Sequence, residues 1–478
     1  MQQSELLKKA FQLLEEYEHS ANGEDLPVWD FLEPETILEK MDLSISKEGA
    51  SYAELLEYMK TYLKFSVKTG HAQFFNQLYG GNNLPAVLGE TLAAFTNTSI
   101  YTFEVAPLAT MMEIELINKM NRIVGFEDGE GTFVTGGSNA NLQALLCARN
   151  RAFPDIITKG VFNLPTLTIF VSDHAHYSFE KAANILAIGT ENVRKIKTDA
   201  DGRMIPEALD SAILRSKEKG EHPILIGATT GTTVMGAYDP IEEIAGVAKK
   251  HKIWLHCDGS WGGSAILSSK HKHLLSGLEL ADSFTWNPHK MMNIPLMCSA
   301  LLVKEKGTLA RNIEVGNSDY IFHEHDYKSF DLGKKSMHCG RRVDALKLWM
   351  AWKFYGDAGY QARIDKLFEL AKYASQKVHE IDQLELMAPV QSLNVCFRHV
   401  PDFETDLNRF NIDLRQNLVK SGKSMVNYGI LNKQVTIRLI IVNPDLEKAD
   451  IDTFFDNFLL TANEMLERNA VEEPILRE

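Results

Sequence analysis

The stretch DSFTWNPHKMMN, Asp282 to Asn293, sets a lysine between two segments that read as buried. Upstream, LADSFTW (280–286) alternates as a strand does; downstream, LMCSALLV (296–303) is apolar enough to be another. Between them an Asn287-Pro288-His289 turn delivers Lys290, followed at once by Met291 and Met292. A lysine desolvated in this way is a better nucleophile toward a carbonyl, because burial disfavours its charged form. The ordinary alternative is a lysine whose ammonium snorkels out of the turn to water.

The same alternation extends outward. TLTIFVS (166–172), PILIGATT (223–230) and KIWLHCD (252–258) are strand-like, and each is followed by a polar or Gly-rich turn and then helical periodicity. Short buried strands alternating with helices predict an α/β fold with a mostly parallel central sheet covered on both faces. Three segments follow: a helical N-terminal segment (1–65), a large α/β domain (66–355) and a small C-terminal α+β domain (356–478). The first is interrupted by the Pro-containing DLPVWDFLEPE, and its opening residues form an amphipathic helix with Leu6, Leu7, Phe11 and Leu14 on one side. The last holds a long helix at 359–380, strand candidates LELMAPV, LNVCFRHV and VTIRLIIVN, and a final helix. That helix takes Asp450 as its N-cap and carries Ile451, Phe454, Phe455, Phe458 and Met465 on its apolar side.

A chain of 478 residues, 45% hydrophobic and 24% charged, is ordinary for a globular protein, and long enough for two or three packed units. Its net charge of -14 argues against nucleic acid or an anionic membrane as the main partner. No apolar run approaches the length needed to cross a bilayer, and the first twenty residues do not read as a signal peptide. Five scattered cysteines without a C-x-x-C pair predict a reducing, cytoplasmic setting and no thiolate metal site.

Four residue groups follow predicted strands, where ligands of parallel α/β sheets collect. In GTFVTGGSNANLQALLCARN, Gly136 and Gly137 permit a tight turn and Ser138 opens a helix; this is a phosphate cradle or simply a capped helix. In KIWLHCDGSWGG, Asp258 ends a buried strand, as a loop-ordering carboxylate or as the partner of a cation. In VSDHAHYSFEKA, His174 and His176 lack a third metal ligand at conventional spacing, which leaves a packed histidine or a platform for a planar ring. Lys290 is the fourth. A phosphate, a planar ring, a ring nitrogen that wants an anion and an aldehyde that wants an amine describe pyridoxal 5'-phosphate, and no metal.

The motifs SFTWNPHKMM, CSALLVKEKG, WLHCDGSWGG, HAQFFNQL, NTSIYTFEVAP and CGRRVDALKLWMAWKFYG closely resemble group II pyridoxal-phosphate decarboxylases, in the branch acting on glutamate, cysteine sulfinate and aspartate. The resemblance spans residues 65 to 360, with a weaker extension to TIRLIIVNP. It implies the aspartate aminotransferase-type fold and a homodimer with active sites at the subunit interface. By the same resemblance Lys290 would hold the cofactor covalently, Asp258 would pair with the ring nitrogen, and His176 would stack on the ring. Gly137, Ser138 and His289 would hold the phosphate, and Thr233 would lie beneath the ring. Arg438 and Gln77 would bind substrate. Tyr320, in SDYIF, matches a tyrosine on a mobile loop that returns a proton to the substrate of the partner subunit; Tyr327 is the other candidate. Asn293, Pro295 and Phe330 depart from the pattern. Tyr79 stands where glutamate-specific relatives carry a small residue, so its ring would favour aspartate or cysteine sulfinate over glutamate, with 2,4-diaminobutyrate a further alternative.

Overall fold

A computed structural model describes residues 2–21, 26–314, 316, 320–324 and 326–472. The chain forms two compact units: Asn82–Glu369 with Ala388–Asn394, and Met1–Gly81 with Leu370–Met387 and Val395–Glu478. In chain order the strands are β1 (Phe74–Phe75), β2 (Glu130–Val134), β3 (Leu167–Ser172), β4 (Val193–Ile196), β5 (His222–Thr229) and β6 (Trp254–Gly259). They continue with β7 (Ser283–Trp286), β8 (Ser299–Val303), β9 (Leu384–Leu386), β10 (Asn394–His399), β11 (Met425–Leu431) and β12 (Gln434–Ile440).

In the first unit the described residues form a seven-stranded sheet of order β2-β8-β7-β6-β5-β3-β4. Strands β4, β3, β5, β6 and β7 are mutually parallel, and β8 alone runs against its neighbours β7 and β2. Every residue of β3, β6, β7 and β8 is buried, which is what helices on both faces of a parallel sheet require. The intervening helices include Gly137–Ala152, Ser178–Ile185, Pro206–Glu218 and Ile241–His251. Ala144, Ala148 and Phe179 from the first two pack with Ile169, Val171 and Leu225 of the sheet. The mostly parallel α/β sheet expected from the alternating pattern is therefore present.

One buried ion pair braces this unit beside its outer strand β2. Arg341 donates to Glu113 at 2.6 Å, and the same guanidinium reaches the carbonyls of Ile100 (3.2 Å) and Phe133 (3.3 Å). Both partners are almost fully excluded from water.

The second unit holds a five-stranded sheet of order β1-β11-β12-β10-β9, with β1 parallel to β11. Its core is aromatic: Phe397 of β10 lies 5.7 Å from Phe455 and 5.3 Å from Phe458, and Phe75 of β1 lies 5.2 Å from Phe454. The N-terminal helices Gln3–Ala21, Pro34–Lys40 and Tyr52–Phe65 belong here too. Backbone pairing ties their connection down, since Val28 N–H donates to Gly422 O at 2.9 Å and the Trp29 indole donates to Val419 O at 2.8 Å.

Two local readings change. The last helix begins at Lys448, so Asp450 is not its N-cap. From inside the first turn its carboxylate accepts the Glu447 N–H at 2.7 Å, which satisfies a free donor from the other direction. The long helix runs Asp344–Glu380 and is broken at Gly356, whose φ of +64° suits glycine.

Candidate active site

Five chain segments meet at the carboxyl edge of the large sheet. After β2, Gly136 turns the backbone with φ +101°, and Gly137 begins a helix at the cavity wall, the kind of helix start that suits an anion. A side chain at Gly137 would collide with Ser260 Oγ and sit 2.8 Å from Asn287 Nδ2, so only a bare backbone leaves space there. The loop after β3 brings His176, that after β5 brings Gly231 and Thr233, β6 ends at Asp258, and the turn after β7 brings His289 and Lys290. They enclose a cavity of about 280 Å³. All seven positions expected to touch the cofactor, Gly137, Ser138, His176, Thr233, Asp258, His289 and Lys290, line it.

Asp258 is 4% exposed, so its charge needs internal partners. Burial pushes its carboxyl up, but donors outweigh that and hold it below the usual carboxylate range. The Ser260 N–H donates to Oδ1 at 3.0 Å and Asn141 Nδ2 donates to Oδ2 at 2.7 Å, with His256 two residues away on the same strand face. An ionised carboxylate thus waits in an otherwise dry wall.

Both histidines of the cavity are held below the ordinary imidazole range. Burial lowers His176 below the ordinary imidazole range, against the pull of Asp258 and with the push of Lys290. Its Nδ1 accepts the Ser178 N–H at 3.2 Å, leaving the proton on Nε2. Burial, then Lys290, lowers His289 to about 4, and its Nδ1 lies 2.7 Å from Cys298 O. Lys290 is half-buried in a turn, its N–H bonded to Asn287 O at 3.1 Å and its carbonyl to the Asn293 N–H at 2.9 Å. Asn293, a departure from the relatives' pattern, takes φ +59°, a conformation that Asn tolerates better than most residues. Met291 and Met292 are buried behind it.

The remaining candidates lie elsewhere. Arg438 is buried on β12 opposite Asn427, and burial lowers its guanidinium from the ordinary value. Gln77 and Tyr79 are half-buried after β1, with the Tyr79 ring 6.4 Å from Phe74. All three belong to the second unit. Tyr320 is 78% exposed; Tyr327 rests on Phe103 at 5.3 Å, and neither is among the residues lining the cavity. Among the described residues, no group of three His, Cys, Asp or Glu could hold a metal ion, and no helix is long and apolar enough to cross a membrane. A larger groove of about 800 Å³ opens elsewhere on the first unit, where Arg151 is paired with Asp282 at 2.7 Å.

Sequence reasoning passed over Asn141, Ser260, Trp261 and Met297, which also line the cavity. The signal for Asn141 was its place one turn after Gly137, on the same helix face. Nothing local marked the others.

A family model described as the pyridoxal-dependent decarboxylase conserved domain matches residues 34–400. The chain is 39% identical over 452 residues to cysteine sulfinic acid decarboxylase of Mus musculus, covering 92% of this chain and 91% of that protein. It is 38% identical over 457 residues to acidic amino acid decarboxylase GADL1 of Mus musculus, covering 93% and 83%. The crystal structure of mouse CSAD in apo form superimposes with a TM-score of 0.93 at 38% identity, over 96% of this chain and 98% of that one.

Proposed function

Because the chain belongs to the pyridoxal-dependent decarboxylase family, we propose that its substrate is a short acidic amino acid, with aspartate giving β-alanine, cysteine sulfinate giving hypotaurine, or both. The chain is a pyridoxal-phosphate-dependent amino-acid decarboxylase. The residues fit that cofactor: a bare helix start at Gly137, a buried ionised Asp258 and the Lys290 amine line one cavity. That shared cavity is the observation that carries the reading.

Bound pyridoxal 5'-phosphate supplies an electron sink, its protonated ring taking up the electron pair left when CO2 departs. In our reading the Lys290 Nζ would hold the cofactor's aldehyde carbon, which is the position its place in the cavity wall gives it. Asp258 keeps a proton on the ring nitrogen, and being buried it does so without competition from water. His176 and Thr233, which both line the cavity, would flank the ring. Gly137, Ser138 and His289 hold the phosphate. A loop tyrosine, Tyr320 or Tyr327, returns a proton to Cα after CO2 has left. Arg438 and Gln77 read the substrate's acidic groups, Arg438 through the two-pronged geometry of its guanidinium, and the Tyr79 ring shortens the pocket. The homodimer with sites at its interface, and residence in the cytoplasm, belong to the same proposal.

The likeness to a cysteine sulfinic acid decarboxylase and to an acidic amino acid decarboxylase supports a substrate with two acidic groups. Purified holoenzyme assayed side by side with aspartate, cysteine sulfinate, glutamate and 2,4-diaminobutyrate, with CO2 and product identified, tests it. One methylene in a pocket is worth about 1–3 kcal/mol, so kcat/KM for the better short acid should exceed that for glutamate by about tenfold or more. Preference for glutamate or diaminobutyrate overturns the substrate assignment. Borohydride reduction of the holoenzyme should tag Lys290; a tag on another residue overturns the site.

A further inference from the structure

Behind Asp258 the structure holds a chain of hydrogen bonds with one consistent direction. The Trp254 indole, which can only donate, reaches Ser283 Oγ at 2.8 Å. Ser283 Oγ in turn lies 2.8 Å from His256 Nδ1, and His256 Nε2 lies 3.0 Å from Asn141 Oδ1. Thr285 Oγ1 donates to the same Asn141 oxygen at 2.9 Å. Asn141 Nδ2 then donates to Asp258 Oδ2 at 2.7 Å and to Ser178 Oγ at 2.9 Å. Trp254, Ser283, His256, Thr285, Asn141 and Ser178 are all buried.

The polarity of this chain follows from its Asp258 end. Burial pushes His256 down to about 4, so at neutral pH the ring carries one proton. The ionised Asp258 can only accept, so the Asn141 NH2 faces it and the Asn141 oxygen faces His256, whose single proton then sits on Nε2 with Nδ1 left to accept from Ser283. A flipped Asn141 amide would aim its oxygen at the Asp258 carboxylate and leave two donors, His256 and Thr285, facing an NH2 group. The amide is therefore locked with its donor toward Asp258.

We infer that Asn141, oriented by His256 and Thr285, is a positioning residue that holds the Asp258 carboxylate ionised and aimed at the cofactor ring nitrogen. The inference rests on the reading of Asp258 given above. Asn141 and Ser260 each occupy one carboxylate oxygen, which fixes the carboxylate's rotation and leaves acceptor capacity for a ring N–H. His256 does not change its protonation near neutrality; its part is to set the direction of the amide.

The test compares pyridoxal 5'-phosphate with its carbocyclic analogue, in which the ring nitrogen is replaced by C–H, by measuring dissociation constants for the full-length apoprotein. Wild-type protein should prefer the natural cofactor, and Asp258→Asn should abolish the preference. Asn141→Leu, close in volume, should weaken the natural cofactor by about tenfold or more and leave the analogue unchanged, since a charge-assisted hydrogen bond is lost only where the ring nitrogen needs it. His256→Phe should act in the same direction, and His256→Gln, which keeps an N–H donor, should restore the preference. If Asp258→Asn leaves the preference intact, the underlying reading of Asp258 fails. If Asp258→Asn abolishes it while Asn141→Leu and His256→Phe retain it, the positioning role is overturned. Equal weakening of both compounds by Asn141→Leu marks a cavity-shape effect and also overturns it.

Discussion

Adding one methyl group at Gly137 probes the phosphate cradle directly. In Gly137→Ala the new Cβ would overlap Ser260 Oγ, approach Asn287 Nδ2 to 2.8 Å and Ser260 Cβ to 3.2 Å. An ordinary carbon contact is about 3.5–4.0 Å, so at least one neighbour has to move. Both neighbours line the cavity, and Ser260 also supplies the N–H that holds Asp258 Oδ1 at 3.0 Å. Overpacking of this kind costs about 1–3 kcal/mol. Falling on the cofactor-bound state, where the yielding side chains and the phosphate compete for one space, that cost weakens binding by about 5- to 150-fold. Titration of pyridoxal 5'-phosphate into the apoprotein, followed through the fluorescence of Trp261 in the cavity wall, measures it. Unfolding of the apoprotein in urea serves as the control. A variant that binds the cofactor within about twofold of wild type would refute the cradle, because the crowding at Gly137 would then not touch the phosphate position.

Other perturbations read other parts of the molecule. Lys290→Ala should abolish turnover and the absorbance of the lysine-bound cofactor; a variant with normal activity ends the assignment. Tyr320→Phe and Tyr327→Phe separate the two loop tyrosines: whichever returns the proton should, on removal, shift product toward the ketone-forming side reaction, and unchanged partitioning in both moves that role elsewhere. Glu113→Ala strands the buried Arg341 guanidinium, which should cost about 3–5 kcal/mol of stability in urea unfolding, and a loss under about 1 kcal/mol would contradict the burial of the pair. His256 titrates near 6.5 when unfolded but only at about 4 when folded. Between those values the unfolded chain binds the extra proton. The contribution of His256 is therefore complete above pH 6.5 and is lost on acidification toward pH 4, to the extent of about 3 kcal/mol. His256→Gln should flatten that part of the stability–pH curve for the apoprotein, and parallel curves for variant and wild type would refute it.

Much of the site was legible along the chain because its chemistry is local. A strand that ends in Asp258, a Gly-Gly turn before a helix and a lysine after Asn-Pro-His each depend on a few neighbouring residues, and period-2 and period-3.6 patterns report burial directly. The supporting residues were not legible for the opposite reason. Asn141, His256 and Thr285 sit on a helix and two different strands. Their hydrogen bonds exist only once β6 and β7 pair and the Gly137–Ala152 helix lies against them. Asp450 shows a smaller gap: capping residues on either side of a helix start satisfy the same free N–H groups, so composition alone does not tell an N-cap from a first-turn carboxylate.

By itself the sequence determined the kinds of elements, the buried strands and which polar side chains follow several of them, since backbone propensity and side-chain period act over a few residues. The tertiary structure decided the strand order β2-β8-β7-β6-β5-β3-β4, which gathers residues more than a hundred positions apart at one sheet edge. It also decided that residues 1–81 fold with 370–387 and 395–478, through contacts such as Val28 with Gly422. The physical reason is that strand pairing and helix docking are chosen by non-local burial and by the satisfaction of buried polar groups, and neither leaves a period in the chain.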